Sequence, residues 1–214
     1  MKAKLVCFDC DGVLIIGDPW INLHRALGIP KEQDMQWFRD YYSGKLKFVD
    51  WNDRLQRMYI EKGLTKTLFE DILQSFTINA EADDLLRFLQ KQELKVAIVS
   101  SGIDFYVKKA AEKLGITTWK ANYSFVFDEV GKFVHMNYLT DDPTAKTLHV
   151  TELCQTDGIN PTNETIFVGD SINDVAVFEF TKHGVLYKAK TQELLKVSWR
   201  EIENLSELKN LIYS

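Results

Sequence analysis

Lys4-Leu5-Val6-Cys7-Phe8-Asp9-Cys10-Asp11-Gly12 is the stretch from which the fold is read. Its apolar run stops abruptly at two aspartates separated by one residue, as a buried strand does when it hands its last residues to a loop. Two later runs end in the same way. Leu94-Lys95-Val96-Ala97-Ile98-Val99 stops at Ser100-Ser101-Gly102, and Thr165-Ile166-Phe167-Val168 stops at Gly169-Asp170. A helical pattern follows each polar end: Phe105, Val107, Ala110, Ala111 and Leu114 recur at helical spacing before a capping Gly115, and residues 172–180 repeat the arrangement.

Strands alternating with helices predict an α/β fold, a Rossmann-like and mainly parallel sheet with helices on both faces and right-handed crossovers. Ligands in such sheets gather beyond the carboxyl ends of the strands, where the three polar clusters converge. Residues 17–77 break the rhythm, with helical patterns and no convincing buried strand, and are read as an inserted helical cap on a core formed by residues 1–16 and 78–214. Leu23, Ala26 and Leu27 suit one cap helix, Met35, Trp37, Phe38, Tyr41 and Tyr42 a second, and Trp51, Leu55, Met58 and Tyr59 a third. The tryptophans are expected in the cap core. Residues 123–134 alternate around Glu129-Val130-Gly131-Lys132 as a hairpin does, and residues 203–212 read as a terminal amphipathic helix.

Composition narrows the function classes. The net charge of −5 comes with no basic cluster interleaved with aromatics, which argues against a nucleic-acid partner. No apolar run approaches membrane-spanning length, and the short run before Asp9 is not a signal-peptide core, so no membrane partner and no export are expected. Three cysteines, Cys7, Cys10 and Cys154, lack zinc-site spacing and suit a reducing cytoplasm.

Asp9 and Asp11 at one strand end, with Gly12 permitting a tight bend, can share one small site and invite a hard cation such as Mg2+. Asp170 and Asp174 bring carboxylates from another strand end, and Asn173 adds an amide. Ser100, Ser101 and Gly102 offer hydroxyls and backbone amides ahead of a helix, the makings of a phosphate cradle. Lys146, between the second and third clusters, can neutralise phosphate oxygens and an attacking carboxylate.

These motifs, in this order, resemble those of the haloacid dehalogenase superfamily over nearly the whole chain. Phe8-Asp9-Cys10-Asp11-Gly12-Val13-Leu14 is similar to its first motif, Val99-Ser100-Ser101-Gly102 to its second, Lys146 to its third, and Val168-Gly169-Asp170-Ser171-Ile172-Asn173-Asp174 to its fourth. The resemblance implies Asp9 as nucleophile, Asp11 as general acid and then base, and Ser100 and Lys146 as phosphate binders. It further implies Mg2+ held by Asp9, the backbone carbonyl of Asp11 and Asp170, with Asp174 in support and Asn173 near the phosphate.

The cap segment Ser43-Gly44-Lys45-Leu46-Lys47-Phe48, followed by Trp51 and Arg54, resembles that of the phosphoserine phosphatase group and implies a small phosphorylated metabolite, phosphoserine foremost. In that group a glutamate after the first motif and a cap arginine read the substrate. Asp18 stands near the first, and Arg54, shifted by a residue, near the second; a turn residue and a surface charge are the alternatives. A phosphotransferase passing the same phosphoryl group to an acceptor alcohol and a non-catalytic phospho-ligand-binding module remain the competing functions.

Overall fold

The computed structural model describes residues 2–189 and 192–212. In chain order its elements are β1 (Leu5–Phe8), β2 (Ile15–Ile16), α1 (Pro19–Ala26), α2 (Lys31–Tyr42), α3 (Phe48–Glu61), α4 (Lys66–Leu73), β3 (Thr77–Ile78), α5 (Ala82–Lys91) and β4 (Lys95–Ile103). There follow α6 (Asp104–Leu114), β5 (Thr118–Phe127), β6 (Phe133–Tyr138), α7 (Asp142–Asp157), β7 (Thr165–Gly169), α8 (Val175–Thr181), β8 (Gly184–Tyr187), α9 (Gln192–Val197) and β9 (Arg200–Ile202), with short 3-10 helices at Ile172–Asp174 and Leu205–Asn210.

The strands form a seven-stranded sheet in the order β6-β5-β4-β1-β7-β8-β9. Pairing is parallel from β1 to β4 and β7, and from β8 to β7 and β9, while β5 and β6 are antiparallel. The α/β architecture read from the sequence is therefore present. β1 lies inside the sheet because all four of its side chains are buried, which requires cover on both faces. On one face Leu5, Cys7, Ala97, Val99, Phe167 and Leu186 pack with Val150 and Leu153 of α7 and Val177 and Phe178 of α8. The alternate residues Val6, Phe8, Ile98, Ile166 and Val168 point the other way and are equally buried.

The chain divides into two compact units, one of Met1–Gly17, Thr77–Asn122 and Leu139–Ser214, the other of Asp18–Phe76 and Tyr123–Tyr138. The second unit departs from the sequence reading in two ways. The hairpin, expected with the core, belongs with the helices because its aromatics pack there: the ring of Phe125 lies 5.5 and 4.9 Å from those of Tyr59 on α3 and Phe69 on α4. The tryptophans are also not its centre. Trp20, Trp37 and Trp51 are half-buried, α2 buries none of its side chains fully, and the interior is made by Leu23, Leu55, Tyr59, Leu64, Phe69, Leu73 and Phe133.

His24, buried in this unit, is held on both ring nitrogens. His24 contacts Asp34 through Nδ1 at 2.8 Å and the Tyr59 hydroxyl through Nε2 at 2.6 Å, and the Trp20 indole N–H reaches both Nε2 and the Tyr59 oxygen at 2.9 Å. In the first unit the expected terminal helix is instead the 3-10 segment Leu205–Asn210, boxed by Asn204 and Glu207. Leu205 and Leu208, three residues apart, bury together at the tighter repeat.

Candidate active site

Strand register assembles the site. Phe8 pairs with Ile98 on one side and Val168 on the other, so Asp9 leaves β1 beside Ser100 and Asp170, each two residues beyond those partners. The Asp9 amide donates to the Val168 carbonyl at 2.8 Å, which holds the last turn of chain in register. The loop then folds tightly, with the amides of Leu14 and Ile15 both donating to the Cys10 carbonyl at 3.0 Å and Asn79 Nδ2 donating to the Val13 carbonyl at 2.8 Å. Gly12 supplies the positive φ of 75° that this turn needs.

Lys146 comes from the first turns of α7. That helix is started by Asp141, whose side chain accepts from the Thr144 amide at 3.2 Å, and by Pro143 in its first turn. The ammonium is 1% exposed and donates to Asp9 Oδ2 at 2.7 Å and to Asp174 Oδ1 at 2.6 Å. Burial alone would lower its pKa, but the two carboxylates outweigh burial and raise it, so Lys146 is charged.

Asp174 is held on both oxygens. Besides Lys146 it accepts at Oδ2 from the amides of Asp170 and Ser171 at 3.0 and 2.9 Å and from the Ser171 hydroxyl at 3.3 Å. These bonds make it a brace for Lys146 and for the 170–171 turn, with Oδ2 fully engaged and Oδ1 taken up by Lys146 alone. Asp9 accepts from the Cys10 amide at Oδ1, 2.7 Å away, and from Lys146 at Oδ2. Burial pushes its carboxyl well above the usual range; Lys146 opposes this, while Asp174, Asp11 and Asp170 add to it.

Carboxylate oxygens of Asp9, Asp170 and Asp174 lie within 4.8 Å of one another, all buried. With Asp11 nearby, this concentration of negative charge is met by the ammonium of Lys146. A divalent cation is the natural remedy for that imbalance, and the all-oxygen donor set suits Mg2+. The fit is close enough that glycine is required around it: a methyl group on Gly12 would overlap the Asp170 carboxylate, and one on Gly169 would overlap that of Asp174.

Ser100, fully buried, accepts from the Gly102 amide at 2.9 Å. That amide is therefore engaged rather than open to a ligand, and its bond orients the serine so that the hydroxyl proton points elsewhere. Ser101 is half-buried, and its Oγ is buried with no hydrogen-bond partner among the described residues, a donor suited to an anion. Asn173 lies half-buried on the 3-10 turn between Asp170 and Asp174.

Asp18 and Arg54 belong to the other unit. Asp18 caps α1, accepting from the Ile21 amide at 2.9 Å. Arg54 is exposed on α3, while its neighbour Leu55 is buried.

The sequence reading missed Tyr106. Phe105 stood in its helical pattern, yet Phe105 is half-buried and Tyr106 is buried, its hydroxyl donating to Asp11 Oδ2 at 2.5 Å. A tyrosine at a buried helical position is itself a signal, because its hydroxyl must find a partner.

A family model for haloacid dehalogenase-like hydrolases matches residues 3–179. The chain belongs to that family. Haloacid dehalogenase-like relatives of similar length include phosphoserine phosphatases from Methanocaldococcus jannaschii, 28% identical over 88% of this chain and 87% of theirs, and from Wolinella succinogenes, 29% identical over 87% and 88%. Among solved structures, a phosphoserine phosphatase with a phospho-aspartyl intermediate analogue superposes with a TM-score of 0.81 at 26% identity, covering 99% of this chain and 100% of that one. A substrate-bound phosphoserine phosphatase does so with a TM-score of 0.81 at 25% identity, covering 99% of each. Membership in the haloacid dehalogenase-like hydrolases, with these relatives, makes the chain a phosphoric monoester hydrolase.

Proposed function

We propose that the chain hydrolyses a small phosphomonoester, with phosphoserine the first substrate to test, through a phosphoryl group carried transiently on Asp9. The observation that carries this reading is the buried Asp9 carboxylate, fixed at the end of β1 between the Lys146 ammonium and the Cys10 amide. A carboxylate so fixed is an oriented nucleophile, and the similarity to a structure holding a phospho-aspartyl analogue supports the same chemistry.

In the first step an Asp9 oxygen bonds to phosphorus as the bond to the ester oxygen breaks, and Asp11 gives its proton to the departing alkoxide. In the second, Asp11 takes a proton from water as that water bonds to phosphorus, and Asp9 is released with inorganic phosphate. Lys146 and Ser100 hold the phosphoryl oxygens, aided by Ser101 and Asn173, while the Gly102 amide holds Ser100 in place. Asp9, the Asp11 carbonyl and Asp170 would hold Mg2+, with Asp174 in support; bound there, the ion offsets charge on the phosphoryl group. The buried, unbridged cysteines support a reducing, cytoplasmic setting for these reactions.

Phosphoserine is favoured by the relatives' shared activity. Asp18, whose side chain caps α1, and Arg54, exposed on α3, are the residues proposed to read the amino-acid part of the substrate. The test is phosphate release from a panel of phosphorylated amino acids, sugars and nucleotides, with the Asp9→Asn variant alongside. Phosphoserine should lead and Asp9→Asn should be inert. Turnover by the pure variant would sink the mechanism, and a preference for a sugar phosphate would overturn the substrate while leaving the mechanism standing.

A further inference from the structure

We infer that Tyr106 is a positioning residue for proton transfer, fixing the Asp11 carboxyl group that serves first as acid and then as base. The inference rests on the reading of Asp11 given above. Tyr106 stands one turn into α6, directly after the strand that delivers Ser100, and its phenol crosses to a carboxylate 95 residues earlier in the chain. The bond is short, 2.5 Å, and the ring is 1% exposed.

Space has been left for this contact. A methyl group at Gly102 would overlap the Tyr106 hydroxyl and crowd Ser100 Oγ, so glycine at that position admits the phenol as well as serving the serine. The terminal torsion of an aspartate is broad, and a carboxyl group held only by its backbone samples many orientations. With Oδ2 bound to a rigid aromatic donor, the plane of the group is set, and the proton passes through the other oxygen. The phenol serves both stages, since it can donate to Oδ2 whether Asp11 is charged or neutral.

A residue that acts through the acid and base matters in proportion to how much the leaving group needs a proton. An alkyl phosphate needs one and a 4-nitrophenyl phosphate does not. Tyr106→Phe is therefore expected to lower kcat for an alkyl phosphate by about 10- to 100-fold, the scale of loss from a misplaced catalytic group, with KM little changed. With 4-nitrophenyl phosphate, rapid mixing should show an undiminished first burst of nitrophenolate followed by slowed turnover, because water attack still requires the base.

The decisive comparison is a cycle of Tyr106→Phe, Asp11→Asn and the double variant, each checked for a folded state by thermal melting. If Tyr106 works through Asp11, its loss adds nothing in the Asp11→Asn background. Equal losses on both substrates in the burst phase, additive effects in the cycle, or no loss at all would overturn the inference. Full activity in Asp11→Asn would instead overturn the assignment of Asp11 itself. Should the phenylalanine variant not fold, Tyr106→Leu provides the same cycle and the same burst readout.

Discussion

Lys146 Nζ lies 2.7 Å from Asp9 Oδ2 with both side chains buried, so the proposed nucleophile and its nearest cation share one desolvated pair. Removing one member of such a pair leaves the other uncompensated, at a cost of about 3–5 kcal/mol. Lys146→Met should accordingly lose stability of that order in chelator-treated protein, measured by urea unfolding, and lose at least about 100-fold in kcat. Lys146→Arg should rescue little, since a planar guanidinium does not replace a compact ammonium between two carboxylates.

Cation removal gives a second expectation. Treatment with a chelator should abolish phosphate release, and Mg2+ should restore it where Ca2+, which prefers more ligands at longer range, does not. The ion should also raise the melting temperature, by about 2.7 kcal/mol of added stability at one hundred times its dissociation constant. Asp170→Asn should remove most of that increment. Asp174→Asn should lower stability even without the ion, because its carboxylate already braces Lys146 and the 170–171 turn.

Gly12→Ala tests how closely backbone and metal site are fitted. The substitution meets a φ of 75° and the Asp170 carboxylate together. The backbone alone should cost about 1–2 kcal/mol. The displaced carboxylate should also weaken the Mg2+ response, read by titrating the ion against melting temperature.

His149 predicts a pH effect on stability unrelated to catalysis. It is 8% exposed on α7, and its pKa is lowered chiefly by burial, with the Lys120 charge adding to burial and the Ala121 backbone and Glu152 opposing it. A base with a lowered folded pKa takes up its proton more readily when unfolded. Its contribution is therefore constant above about pH 6.5, the unfolded value, and declines as pH falls below it toward the folded value. The slope is at most about 1.4 kcal/mol per pH unit. Unfolding curves from pH 7.5 to 5 should show this component in the natural protein and not in His149→Leu.

Much of the site was legible because its parts lie where an apolar run meets a polar residue in consecutive positions, just past β1 for Asp9, just past β7 for Asp170 and within β4 for Ser100. Asp9, Ser100 and Asp170 are all visible in that way. Lys146 carried no such local mark, since a lone lysine on a helix is ordinarily solvated, and only the register of distant strands buries it between Asp9 and Asp174. The contact of Tyr106 with Asp11 spans 95 residues and has no periodic signature. The hairpin at residues 123–138 could be recognised as a hairpin but not assigned to a unit, because alternation tells which side of a strand is apolar and not what covers it.

The helical unit leaves and rejoins the first unit twice, and each excursion is bounded by paired strands. Ile16 opposes Thr77 just outside the first, and Tyr123 opposes Tyr138 at the limits of the second. Both inserts are thus closed loops whose ends are already joined by backbone hydrogen bonds. Either can lengthen, shorten or be exchanged over generations without pulling β1 out of register, so new specificities can be tried on an old reaction centre.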